Sequence, residues 1–387
     1  MNRFSVVLSL IIIGACLSAV PGFGATWHVE QNGTGDFLEI QDAVNASAVG
    51  DTILIGPGNY NQAREIQIPQ YPAPTDAFVN LTVEGLTLIG VGPDEVIIGP
   101  SQYYTALYGT LGICAAAVSQ SWRVEGVTLR NLFTGIYTYT HVEVIGCRFE
   151  ENRNVGISLL NNDGALIEGS QFNNNLFNGI VNYNSNSGIR IIDCDFNYSL
   201  VYLRSAVGSF VERCAFSGGE TRGGAGGLKF ERASGTVSHC VFSGYVDYGL
   251  AGINVSNVDV DSCNIQVLGT GISALTFSRF SVSSSVIEGE IAGVSIGGDG
   301  SMTVNNSHIL SNAGYLVKCD NRGGIDPTRM DFESNYWGTA NLDDIAAGIW
   351  DKNDASYLTT IIDYFPIATG PVSVEQKSVG DVKAMFR

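Results

Sequence analysis

Positive charge is scarce in this chain. Its 20 Lys and Arg stand against 38 Asp and Glu, for a formal charge of −18. Lysine occurs only at Lys229, Lys318, Lys352, Lys377 and Lys383. Such a chain lacks the basic footprint that nucleic acid or an anionic membrane surface requires, which disfavours both as partners. Histidine is confined to His28, His141, His239 and His308, and only Met302 and Met330 lie in the long central region. That scatter excludes a copper site built from clustered soft ligands. No two Cys or His lie two to four residues apart, so zinc-site spacing is missing as well. Nor does any apolar period of 3.6 residues run through the middle, which excludes leucine-rich and helical repeats.

What is present is a cassette that recurs about every 22 residues. It reads aliphatic, two residues, small residue, one residue, then Phe or Ile. Instances run Val144 to Phe149, Ile167 to Phe172, Ile191 to Phe196, Val211 to Phe216, Val237 to Phe242, Val260 to Ile265, Val282 to Ile287 and Val304 to Ile309. Apolar residues one apart face the same side of a strand, and the two residues after each aliphatic leave room only for a tight turn. Most cassettes are followed by Gly plus an aliphatic, as in Gly156-Ile157, Gly179-Ile180, Gly249-Leu250, Gly271-Ile272 and Gly293-Val294. Between these lie turns rich in Asn, Gly and Ser, which tolerate left-handed backbone. The reading is an all-β, single-stranded parallel β-helix with three short strands per coil and about ten or more coils. A short helix at Glu39 to Ala48 is expected to cap the first coil, and one around Leu342 to Ile349 the last.

Three segments carry a specific resemblance. They are Trp27-His28-Val29 with Gly35 to Val44 and Gly50 to Tyr60, then the cassettes, then Asn335-Tyr336-Trp337-Gly338 with Asp351 and Asp354. Together they resemble the right-handed parallel β-helix proteins of the pectin lyase-like superfamily. The resemblance implies a right-handed helix over residues 25–368 and polysaccharide binding along the outer face of the strand after each Gly-aliphatic pair. It carries over no catalytic residue. Gly58-Asn59-Tyr60-Asn61-Gln62 is similar to the Gly-x-Tyr-x-Glu of pectin esterases, with Gln62 in place of the acid. The remaining esterase motifs, the polygalacturonase aspartates and the pectate lyase calcium cluster are absent.

Arg3 followed by the apolar run from Phe4 to Ala15 reads as a signal peptide over residues 1–24, so the protein is expected to be secreted, periplasmic or at the cell surface. Removing it leaves a charge of about −19. The run is too short for a membrane anchor. Ile13-Gly14-Ala15-Cys16 also resembles a lipoprotein box, although the residues after Cys16 are unusually apolar for one. Residues 369–387 show no coil pattern and form a separate tail. Of the eight cysteines, five (Cys147, Cys194, Cys214, Cys240, Cys263) share one repeat position with Ser170, Ser285 and Ser307. A position that accepts Ser or Cys wants a small inward side chain, and side chains stacked in parallel meet poorly for bridging. A column of reduced, buried thiols follows.

Aligning the coils places Tyr139, Leu160, Tyr183, Arg204 and Glu231 in one outward column, and Tyr137, Ser158, Val181, Tyr202 and Lys229 in its neighbour. The face then turns bland, at Ser273, Leu275, Ser295 and Gly297. A longer connection from Ser217 to Gly226, with Glu220 and Arg222, borders the charged end, where binding loops are usual. One reading is a strand surface on which Arg204 and Glu231 form a weak pair. Another is a glycan groove in which Tyr137, Tyr139, Tyr183, Tyr202, Arg204, Arg222, Lys229 and Glu231 hold a polysaccharide or cell-surface glycan. A third is a uronan lyase or glycoside hydrolase with Lys229 or Arg204 as base and Glu231 or Tyr202 as acid. A structural or adhesive surface protein is the alternative of a different class. Tyr103, Tyr104 and Tyr108 extend the groove or cover the wall. Asp343, Asp344, Asp351, Asp354 and Asp363 are the candidate calcium ligands, but no Asp-x-Asp spacing supports a site; no cofactor is expected, and the chain reads as a monomer.

Overall fold

The computed structural model describes residues 24–68, 73–102, 109–161, 163–184, 186–218, 226–323 and 328–373. Three long parallel sheets wrap about twelve right-handed turns of chain. Sheet I has twelve strands, from Thr26–Val29 to Ser301–Asn305; sheet II has eleven, from Gly58–Tyr60 to His308–Leu310. Sheet III has thirteen, from Arg64–Ile66 to Ile349–Trp350. Each cassette supplies one strand to sheet I and one to sheet II, and each Gly-aliphatic pair opens a strand of sheet III.

The columns expected from the spacing are in register. Val144, Ile167, Ile191, Val211, Val237, Val260, Val282 and Val304 follow one another as ladder partners through sheet I. In sheet II the aromatics do the same. Phe149, Phe172, Phe196, Phe216 and Phe242 stack with centroids 4.5–4.8 Å apart and planes within 9° of parallel. All five are at most 1% exposed. Each contributes on the order of 1.5–3 kcal/mol by burial, with about 0.5–1.5 kcal/mol more per stacked pair.

Between sheets I and II the corner turns on one left-handed residue per coil: Gly146, Gly169, Asp193, Arg213, His239, Ser262, Ser284 and Asn306, all with φ of 50–59°. A side chain in this backbone region costs roughly 1–2 kcal/mol, a cost the repeated burial offsets. The next residue is the small one, and it faces inward. Ser170 Oγ accepts the Cys147 N–H at 3.1 Å, and Ser285 and Ser307 accept from Cys263 and Ser285 likewise. The cysteines of this column are free and buried, as are Cys114 and Cys319. Burial pushes the Cys147 thiol up to about 12.

The Gly of the Gly-aliphatic pair has a steric reason. A Cβ on Gly156 would lie 2.6 Å from the Gly179 carbonyl oxygen and 3.0 Å from the Phe172 ring. Gly271 meets the Gly293 carbonyl at 2.5 Å in the same way. No larger residue fits where one coil's carbonyl and the aromatic column converge.

Both caps are helices. Helix α1, Ile40–Ala46, buries Ile40, Ala43 and Val44 over the first coil. Helix α2, Leu342–Ala347, is capped by Asn341, whose side chain accepts the Asp343 N–H, and buries Ile345. Asp351 accepts the N–H groups of Asn353 and Ile362 at 2.7 and 2.8 Å, and Asp354 accepts that of Asp351. Residues 1–23 with Cys16, the three tyrosines at 103, 104 and 108, residues 219–225 with Glu220 and Arg222, and the residues beyond 373 lie outside the described residues.

Candidate functional site

One outward column of sheet III is in the expected register throughout, and the other in two of its steps. Tyr137, Ser158, Val181, Tyr202 and Lys229 are successive partners, as are Leu160 with Tyr183 and Arg204 with Glu231. An interior residue sets the end of this strand: Asn182 accepts the Arg204 N–H and donates to the Arg204 carbonyl, both at 2.6 Å.

After Tyr60 the chain leaves the first coil, runs outward as Arg64–Ile66 and returns as Thr75–Asn80, the antiparallel pair of sheet III. Arg64 anchors the excursion on Asp42 at 2.7 Å. Thr75 donates to the Gly109 carbonyl at 2.5 Å. Ile68 from this excursion joins Ala77, Leu111, Cys114 and Tyr137 in an apolar cluster on the outer side of the sheet, with Tyr139 and Leu160 packed against it. Where this cover stops, a cleft of about 570 Å³ opens. Its wall is Ile68, Ala73, Pro74, Thr75, Gly109 and Leu111, one edge is Phe133, Thr134 and Asn154, and the floor and far edge are Tyr137, Ser158, Leu160 and Tyr183. The volume is that of an ordinary small-ligand pocket. Tyr137 is 5% exposed and Tyr183 37%, so the first forms the floor and the second a rim. The Tyr137 and Tyr139 hydroxyls meet at 3.1 Å with their rings edge to face.

The charged residues stand beyond the rim. Glu231, its side chain 13% exposed, accepts hydrogen bonds from the Tyr202 hydroxyl and from Asn254 (3.2 Å), and faces Arg204 Nε at 4.0 Å and Arg232 at 3.5 Å. Lys229 Nζ lies 4.8 Å from the centre of the Tyr202 ring. Burial holds its ammonium below the usual lysine range. Among the described residues no three His, Cys, Asp or Glu side chains are gathered closely enough to hold a metal ion.

A family model described as "Right handed beta helix region" matches residues 134–226 and 178–336, together more than half of the chain. The chain belongs to this right-handed β-helix family. No curated protein matches the sequence. Solved structures of similar fold include the periplasmic alginate epimerase AlgG, at 11% identity over 70% of this chain and 68% of that one (TM-score 0.48). Another is the GH87 α-1,3-glucanase of Streptomyces thermodiastaticus, at 12% identity over 86% and 65% (TM-score 0.48). Pectate lyase Pel9A covers 91% and 90% at 17% identity (TM-score 0.39). At these identities the likeness is one of fold.

Within this β-helix, the expected site divides in two. Tyr137 and Tyr183 line the cleft and Tyr139 packs behind it, whereas Tyr202, Arg204, Lys229 and Glu231 form a separate, internally bonded cluster one to two coils further on. Seven of the eight expected residues thus fall into a cleft and a charged neighbour, and Arg222 lies outside the described residues. Sequence reading missed Ile68, Leu111, Phe133 and Asn154. Phe133 and Asn154 precede the strands whose ends were recognised, by the same interval in consecutive coils, and that repetition was the available signal. Ile68 belongs to an excursion with no periodicity.

Proposed function

We propose that the protein is an exported β-helix that binds a polysaccharide on the outer face of sheet III, with the cleft between Ile68, Ala73, Pro74 and Thr75 on one side and Leu160 and Tyr183 on the other as the main site. The observation that supports this best is the cleft's make-up: aromatic and aliphatic surface interrupted by hydroxyls and one amide. Sugar rings present flat C–H faces and equatorial hydroxyls, so they are matched by tyrosine faces with polar groups at intervals. An adhesive or scaffolding solenoid would be served by a flat face; this one is concave. For export, the support is the Arg3 and Phe4 to Ala15 pattern of the sequence. No helix among the described residues is long and apolar enough to cross a membrane.

One observation favours a second reading, catalysis at the charged cluster. A half-buried lysine with a lowered proton affinity stands beside a tyrosine hydrogen-bonded to a partly buried glutamate, which is how proton-transfer groups are tuned. The experiment is a glycan array followed by titration of any ligand against Tyr183→Ala and Leu275→Ala. Binding is expected to weaken about ten-fold or more in the first and to stay unchanged in the second. Equal affinities in all three proteins remove the cleft from the account. Appearance of unsaturated or reducing ends during incubation distinguishes the enzyme from the binder.

A further inference from the structure

We infer that the cleft takes an uncharged glycan: neutral sugar rings, or sugars whose acid groups are esterified. The inference rests on the carbohydrate reading above and names the substrate class of that same site. Every polar side chain facing the cleft is a hydroxyl or an amide: Thr75, Thr134, Tyr137, Asn154, Ser158 and Tyr183. No Asp, Glu, Lys, Arg or His lines it among the described residues.

The sequence has the same blank around these positions. No charged residue and no histidine lies between Glu65 and Asp76, or between Glu95 and Arg123. These two stretches supply the wall, through Ile68, Pro74, Thr75, Gly109 and Leu111. A polyuronate laid in the cleft would bring a carboxylate with each sugar into partly dry surroundings with no cation to meet it. Removing an unpaired ion from water costs on the order of several kcal/mol, more than one aromatic contact returns. The overall charge of −18 adds repulsion at long range.

The neighbouring cations do not offset this. Arg204 and Arg232 face Glu231 at 4.0 and 3.5 Å, and Lys229 lies over the Tyr202 ring. They are already engaged, and they stand past the Tyr183 rim. An acidic substituent at one end of the glycan would meet them; a run of acidic sugars through the cleft would not.

The test is an array of matched pairs, each uronan printed beside its carboxyl-reduced form, together with neutral glucans, mannans, galactans and xylans. Hits are expected among neutral and reduced members, with at least about ten-fold preference within a pair and affinity unchanged by salt. An acidic member that outbinds its reduced partner, and loses affinity steeply with salt, overturns the inference and leaves the carbohydrate reading standing. A blank array removes that reading and the inference together. Leu160→Lys then places a cation on the half-exposed far edge of the cleft. It should raise affinity for the acidic member of a hit pair about ten-fold. Failure to do so, with neutral binding retained, shows that charge is not read in the cleft and overturns the inference.

Discussion

From Leu111 to Tyr183, and again from Leu250 to Gly297, sheet III repeats one parallel register, with the column Ile136, Ile157, Ile180 continued as Leu250, Ile272, Val294. Outward, the two stretches part. The first carries Tyr137, packed against Ile68 of the excursion, with Leu160 and Tyr183 across the cleft from it. The second carries Ala251, Ser273, Leu275, Ser295 and Gly297, with no aromatic among them. Backbone and interior are therefore indifferent to what the outer positions hold. Any site on this scaffold is written in every second residue of a strand and in the segments that leave the coil.

Interior truncation should show that indifference at full size. Ile157→Ala, beneath the cleft, and Ile272→Ala, beneath the bland stretch, both remove fully buried side chains. Each is expected to cost about 2–5 kcal/mol, with the two within about 1 kcal/mol of each other in denaturant titration. A much larger loss at Ile157 would mean that cleft and core are energetically coupled, and the comparison would break.

The glycines that open the sheet III strands give a smaller effect with the same symmetry. Gly156→Ala and Gly271→Ala each press a methyl group against a carbonyl of the next coil and should cost roughly 1–3 kcal/mol. Gly297→Ala meets only a Leu275 methyl at 3.4 Å and is expected to leave the thermal midpoint nearly unchanged.

The same division governs what could be read from sequence. Solenoid interiors are one-dimensional: Val144, Cys147 and Phe149 recur because every coil faces the same neighbour above and below, so spacing alone implies the columns. Even the outward Tyr137 and Tyr183 followed from alternation once the inward residues were placed. The cleft did not follow, because its wall comes from Ile68, Ala73, Pro74, Thr75, Gly109 and Leu111, in a part of the chain that departs from the period. The bonding inside the charged cluster was hidden for a related reason. Tyr202, Glu231 and Asn254 sit in three different coils, and only coordinates show Glu231 shared among them.

Proton binding at Cys114 separates the two stretches at the smallest scale. Cys114 occupies the Tyr137 column, is buried beneath the excursion, and is pushed by that burial to about 11. Its counterparts in the bland stretch, Ser273 and Ser295, carry no thiol. Because the folded thiol holds its proton more tightly than an unfolded one near 9, it stabilises the fold fully below pH 9, and this contribution is lost as pH climbs toward 11. At pH 10 the loss is on the order of 1 kcal/mol. The segment whose opening exposes this thiol is the excursion that forms the cleft's wall. Iodoacetamide labelling with peptide mapping should therefore modify Cys114 between pH 9 and 11 before Cys147, which is held up to about 12 in the interior. Cys114→Ser should flatten the decline of the thermal midpoint across that window. Simultaneous labelling of both thiols would instead mean that the excursion opens only when the whole helix does.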